Sequence, residues 1–246
     1  PTKAQLHPTA EKNVLPAELQ NIREVSAMKN VRIWFKKDKE CRFISHLDLN
    51  RVMLRTVFRA KLPIWYTEGF NPHPFITFPL PLSLGFRGEA ECMDVRFLDE
   101  DFDLSKVADI MNPFLPDGIR VYDATESKMK PGDIAFAKFS AKLYSDVLSD
   151  NELKNKLSEL MLLDEYFVPK KTKAGIKDVN VAEYLKLVEI NPDTEELNIS
   201  VTLPAGSTNN VNIQLLFKAF EKFVGSDVYY EITRHGVFNK EMKPFE

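Results

Sequence analysis

The stretch Val31-Arg-Ile-Trp-Phe35, followed ten residues later by Ser45-His-Leu-Asp48, decides how this chain is read. The first segment is apolar over strand length. The second opens a helix with a capping box, a serine followed three residues on by a carboxylate. Leu47, Leu54, Val57 and Phe58 are expected to form the buried face of that helix, and Leu62-Pro63 to end it, because a residue before proline is pushed out of helical backbone angles.

Working outward, the pattern predicts a short strand over Ile64–Thr67, a loop from Glu68 to Pro74 and an extended run to Leu80. A strand over Glu91–Leu98, a helix over Leu104–Met111 and a strand over Ile119–Ala124 follow. The second half repeats the order. Strands are expected at Ile134–Tyr144, Tyr166–Pro169, Asn198–Leu203 and Val228–Thr233, with helices at Asp150–Leu162 and Ile213–Val224. The first strand and the last helix start 73 residues apart in one half (Val31 to Leu104) and 79 in the other (Ile134 to Ile213). The expected fold is therefore α+β, with two tandem ferredoxin-like (β-α-β-β-α-β) halves, each an antiparallel sheet with both helices on one face. Residues 28–130 form the basic half and 131–246 the second. Residues 1–27 are polar, carry Pro8 and Pro16, and read as an extension or linker.

The 246 residues are 44% hydrophobic and 28% charged, which excludes disorder over most of the length. No run of about eighteen apolar residues and no secretory pattern is present, so no membrane contact and a cytoplasmic location are expected. Cys41 and Cys92 are far apart, which supports neither a disulfide framework nor a cysteine-rich metal site. The formal charge is −3, yet residues 28–88 carry eleven Lys or Arg against four acids, a local +7 that leaves −10 for the rest. Such an average argues against coating nucleic acid through overall charge, and the asymmetry points to one basic face.

Arg51, Arg55 and Arg59 recur every four residues and form one stripe along the first helix. Guanidinium groups donate paired hydrogen bonds to phosphate, so the stripe suits a nucleic-acid backbone; a solvated helix face is the plain alternative. Arg42, Trp65 and Tyr66 place a further cation and two rings in the same region, as base stacking requires. Within Thr67-Glu-Gly-Phe-Asn-Pro-His-Pro74, Gly69 permits a positive φ while Pro72 and Pro74 stiffen the chain. Glu68, Asn71 and His73 are thereby presented on a rigid loop. His46 and His73 are the acid–base candidates; neither fits a metal motif, and no metal is expected. Phosphate-loop, dinucleotide, nucleophile-elbow and metalloprotease motifs are absent, as is a three-cysteine cluster for iron and sulfur.

Arg42-Phe-Ile-Ser-His-Leu-Asp48, Leu62-Pro-Ile-Trp-Tyr-Thr-Glu-Gly-Phe-Asn-Pro-His-Pro74 and Leu80-Pro-Leu-Ser-Leu-Gly85 together resemble the signature of the radical-SAM-linked DUF2344 family, with Asn210-Val-Asn-Ile213 and Thr233-Arg-His-Gly-Val-Phe238 extending the likeness. The resemblance implies a partner, a radical SAM protein that carries the iron–sulfur cluster, S-adenosylmethionine and a cobalamin-binding-type domain, while this chain holds no cofactor. It assigns no reaction to Ser45, His46, Asp48, Glu68, Gly69, Asn71, Pro72, His73 or Pro74. The expected function is a recognition or partner module binding RNA, tRNA or rRNA, through the basic half. The alternatives are a stand-alone RNA-processing enzyme using His46 or His73, and a protein–protein adaptor.

Overall fold

A computed structural model describes residues 28–172, 175–206 and 209–246; the predicted extension 1–27 lies outside them. The chain is α+β, with a mostly antiparallel sheet and five α-helices among the described residues. In order these are β1 (Lys29–Lys37), α1 (His46–Ala60), β2 (Ile76–Thr77), β3 (Arg87–Phe97), α2 (Val107–Met111), β4 (Ile119–Glu126) and β5 (Phe136–Tyr144). Then come α3 (Asp150–Met161), β6 (Phe167–Thr172), β7 (Gly175–Asn180), α4 (Ala182–Leu185), β8 (Glu189–Ile190), β9 (Leu197–Pro204), α5 (Gln214–Val224) and β10 (Tyr229–Phe238).

The main sheet runs β4-β1-β3-β10-β5-β9-β8, and the short β2 also pairs with β3. Every ladder in it is antiparallel except β3–β10, which is parallel and joins the two halves through Thr233↔Arg87 and Arg234↔Gly88. Strand alternation sends Val31, Ile33 and Phe35 to one face, where Leu49, Met53 and Val57 of α1 and Val107 and Met111 of α2 cover them. In the second half Ala137, Phe139, Ala141 and Leu143 meet α3 and α5 in the same manner. The Ser45 hydroxyl caps α1 by accepting from Asp48 N at 3.1 Å, and Ser149 with Glu152 forms a reciprocal capping box on α3.

Four local expectations are corrected. Val57 of α1 is buried as expected and Leu54 is half-buried, but Leu47 and Phe58 are exposed at 66% and 70%, and Leu49, Met53 and Thr56 complete the buried face. Ile64–Thr67 makes only isolated bridges, Ile64 to Phe97 and Tyr66 to Pro74, and the paired strand is Ile76–Thr77. Pro63 and Pro74 lack the N–H groups a continuous ladder needs there. The strand containing Tyr166–Pro169 belongs to a separate hairpin with β7, and the place beside β9 is taken by β8. Leu104–Lys106 is a 3₁₀ turn that precedes the short helix α2.

Charge lies in the interior at the seam. Arg234 of β10 donates from Nε to Glu91 Oε1 at 2.9 Å and from Nη2 to Glu91 Oε2, and Nη2 also reaches the Leu80 carbonyl at 2.6 Å. Lys37 is also buried, and its ammonium donates to the Ile44 carbonyl at 3.2 Å and the Arg42 carbonyl at 3.4 Å. Burial pushes the Lys37 pKa below its usual value, while the Glu91 carboxylate opposes the shift. Gly88 makes room for this arrangement, because a Cβ there would stand 2.4 Å from Glu91 Cγ. Removing one member of a buried pair strands the other charge, so Arg234→Met or Glu91→Met alone should cost about 3–5 kcal/mol in urea unfolding. The double variant Glu91→Met/Arg234→Met should recover part of that loss; equal additivity of the two single costs would show that the pair does not act as a unit.

Candidate functional site

The predicted stripe exists as an exposed face. Arg51, Arg55 and Arg59 all lie on the outside of α1, and among the described residues Arg55 and Arg59 form no ion pair. Arg51 is held 2.9 Å from Asp48, one turn earlier. Exposed Leu47 and Phe58 share this outer side, so cationic and apolar groups alternate along it.

Part of the local +7 is neutralised within the protein. Arg32 and Lys37 are buried, and Arg32 is bidentate to Asp94 at 2.7 and 2.9 Å. Arg42 stacks on Phe43 at 4.7 Å and lies 3.6 Å from Glu231, while Arg87 contacts both Glu231 and Asp38 at 3.1 Å. Lys39 meets Asp117 at 2.9 Å. Glu231 is on β10, so part of the basic half is neutralised by the second half, a pairing that no local charge count contains.

The loop 67–74 is pinned at both ends. Thr67 N donates to the His73 carbonyl at 2.9 Å, and Phe75 N donates to the Trp65 carbonyl at 3.0 Å. Gly69 has φ +126°, the left-handed region that favours glycine. Glu68, Asn71 and His73 are exposed as expected, and Phe70 stands fully in solvent at the tip. His73 Nδ1 lies 3.1 Å from both the Asn71 carbonyl and the Thr67 hydroxyl, contacts that hold the ring on the loop. Trp65 is not free: it is half-buried against Phe75 at 5.6 Å, with the Arg96 guanidinium 5.4 Å over its ring. Tyr66 is 39% exposed.

His46 and His73 make no contact with each other. His46 packs edge-on against Phe78 at 5.0 Å, and burial, reinforced by nearby Lys37, pushes its pKa below the ordinary value. His46 is therefore neutral at neutral pH and acts as packing as much as chemistry. Both cysteines are buried thiols: Cys41 donates to the Asp117 carbonyl at 3.1 Å, and burial pushes Cys92 up to about 12. No group of three or more His, Cys, Asp or Glu able to hold a metal ion occurs among the described residues.

The sequence reading missed a third histidine. His235 Nδ1 is 2.7 Å from Glu89 Oε2, and Nε2 is 2.7 Å from Ser140 Oγ. The carboxylate fixes the proton on Nδ1, so Nε2 accepts from the Ser140 hydroxyl. Hydroxyl, imidazole and carboxylate in line can hold and move a proton. Ser140 sits in β5, whose backbone is engaged by β10 on one side and β9 on the other, so the strand offers no spare amide pair for an oxyanion. The available signal was the Thr233–Phe238 motif, which names His235 without saying that Glu89 and Ser140 lie beside it.

The depressed His46 pKa has a defined consequence. Below its ordinary value of 6.5 the unfolded chain takes up a proton that the folded chain resists. Stability is thus greatest above that pH and is lost as pH falls from it towards the folded value. Thermal unfolding of the native chain between about pH 5 and 8 should show this slope, and His46→Gln should flatten it. Neither native thiol should react with Ellman's reagent until the chain is unfolded; rapid titration of one in the native state would place a thiolate at the surface.

No curated protein matches the chain. A family model described as an uncharacterized protein conserved in bacteria matches residues 30–213, which takes in the basic stripe, the loop 67–74 and the Leu80–Gly85 segment and leaves β10 beyond its end. By that match, over more than half its length, the chain belongs to the DUF2344 family.

Proposed function

We propose that this chain is a substrate-recognition or partner module for a radical SAM enzyme in the cytoplasm, binding RNA (tRNA or rRNA) through its basic N-terminal half. The observation that carries the reading is the outer side of α1, where Arg51, Arg55 and Arg59 stand exposed and Arg55 and Arg59 form no ion pair among the described residues. Guanidinium groups at this spacing track a phosphate backbone, and exposed Phe70 and Tyr66 in the neighbouring segment supply rings for unstacked bases. The iron–sulfur cluster, S-adenosylmethionine and cobalamin would belong to the partner.

The scaffold is read as two tandem ferredoxin-like halves. In each, the strands order as fourth, first, third, second: β4-β1-β3-β2, and then β10-β5-β9-β8, with the β6–β7 hairpin as an insertion in the second. Both pairs of long crossovers pack on one side of their strands, which supports that reading.

Exposed Leu47 and Phe58, set among the arginines, favour an adaptor face for a protein partner as the second reading. Salt separates the two. RNA held by these side chains should lose affinity by about tenfold or more between 50 and 200 mM salt. Arg51→Ala/Arg55→Ala/Arg59→Ala should weaken binding and reduce the salt slope, read by filter binding to total tRNA and rRNA. Unchanged affinity in that triple variant defeats the RNA reading. Loss of radical SAM partner binding in Leu47→Ala/Phe58→Ala, persisting at high salt, would favour the adaptor.

A further inference from the structure

The face of the main sheet opposite α1 and α2 carries side chains that neither the core nor the α1 surface uses. Val31, Ile33 and Phe35 of β1 point to the helices, so Arg32, Trp34 and Lys36 alternate to the other face. On β4, Val121 packs in the helix-covered core, which sends Arg120 and Tyr122 on either side of it to that same opposite face. In the β1–β4 ladder Trp34 pairs with Asp123 and Phe35 with Val121, which leaves Tyr122 as an extra residue. A bulge of this kind re-aims a side chain.

Trp34 and Tyr122 line one cavity of about 560 Å³, within the range of small-molecule sites. Trp34 Nε1 donates to Thr125 Oγ1 at 3.1 Å, which sets the indole in place. Phe245 forms another wall, held by its N–H to the Val237 carbonyl at 3.0 Å and by the buried Arg32 guanidinium 3.8 Å over its ring. Tyr122 is 44% exposed and available for stacking.

The next rung of the same two strands holds two cations. Lys36 and Arg120 are direct partners in the β1–β4 ladder, two residues along from Trp34 and Tyr122 respectively, or about 7 Å at the rise of a strand. Both are exposed, and neither makes an ion pair among the described residues. Like charges set opposite each other in a ladder repel, and an anion held between them offsets that repulsion. Lys138, also exposed and in no ion pair among the described residues, is the ladder partner of the cavity-lining Gly236. The acids near the cavity are mostly engaged or turned away. Glu89 is held by His235 at 2.7 Å, Glu246 by Lys128 at 3.0 Å and Asp94 by Arg32, while Glu126 stands opposite the helix-facing Val31. Asp123 remains, its carboxylate accepting the Ala124 N–H at 2.8 Å, as one acid against three cations.

We propose that this face is a binding site for a nucleotide, with its base stacked on Trp34 and Tyr122 in the cavity and its phosphate held between Lys36 and Arg120. The rings and the cations stand one rung apart, in the order and at the approximate span of a base and its own phosphate. Guanidinium and ammonium groups bind phosphate through charge-assisted hydrogen bonds, and aromatic faces stack any base. A free nucleotide and one unit of an unpaired RNA strand present this same chemistry. The site lies across the sheet from the α1 arginines and does not rest on RNA binding there.

Trp65→Phe in the full chain leaves Trp34 as the one tryptophan, so its fluorescence reports on this face. Adenosine monophosphate should quench it saturably and bind about tenfold tighter than adenosine. Lys36→Ala/Arg120→Ala should remove that advantage while leaving adenosine affinity unchanged, and Tyr122→Ala should weaken both about tenfold with the fold intact by circular dichroism. The quench should persist in Arg51→Ala/Arg55→Ala/Arg59→Ala, so that failure of RNA binding at α1 and failure of this site are read separately. A short oligoadenylate that binds tighter than the monophosphate with the same quench assigns the site to an RNA strand; one that binds no tighter assigns it to the free nucleotide. No quenching by the monophosphate, equal affinity for adenosine and its monophosphate, or unchanged monophosphate affinity in Lys36→Ala/Arg120→Ala would overturn the assignment. So would inorganic phosphate competing as well as the monophosphate, since that would make the face a bare anion patch.

Discussion

The Glu91–Arg234 pair is the constraint on which the arrangement depends. The ladder between the halves is short and parallel, and a short parallel ladder offers little by itself. A carboxylate and a guanidinium that are each about 5% exposed make the junction specific, because any displacement leaves a desolvated charge without its partner. Lys37 and the carbonyls of Arg42, Ile44 and Leu80 complete the hydrogen bonding of the cluster. The Arg42 carbonyl also accepts from Gly85 N at 2.8 Å. The Arg42–Asp48, Leu80–Gly85 and Thr233–Phe238 segments, distant in sequence, thus converge on one seam. Part of what looks like a functional signature in them is the chemistry that joins β3 to β10 within one sheet.

The same joining limits what the basic half can do. Arg87 and Arg42 turn towards Glu231 of the other half, Lys39 towards Asp117, and Arg32 inward to Asp94. What remains exposed for a polyanion includes the outer side of α1. That side belongs to the helix-covered face of the sheet.

Irregular backbone marks several turns and three ladders of the main sheet. Gly69 takes positive φ at the exposed loop, and Gly118 takes φ +98° where a Cβ would stand 2.6 Å from the Asp38 carbonyl oxygen. The extra residues at Tyr122 and His235 cost ladder hydrogen bonds. The β2–β3, β5–β9 and β8–β9 ladders keep regular register.

The sequence by itself determined the elements whose period is long and whose caps are explicit. The strand around Val31–Phe35, the helix opened by Ser45 and Asp48, the helix after Ser149 and the amphipathic Gln214–Val224 were all legible, as was the exposed loop around Asn71 and His73. It misassigned the buried face of α1, since both Leu47 and Leu49 are apolar and only the position of the sheet decides between them. It also lost β8, whose two residues carry no period. Tertiary structure alone decided which charges are free, because Glu231, Asp117 and Asp94 reach their partners across strands and between halves. It alone brought Glu89, His235 and Ser140 within hydrogen-bonding distance. A bulge shifts one residue to the opposite face, and no local pattern of apolar and polar residues records that shift.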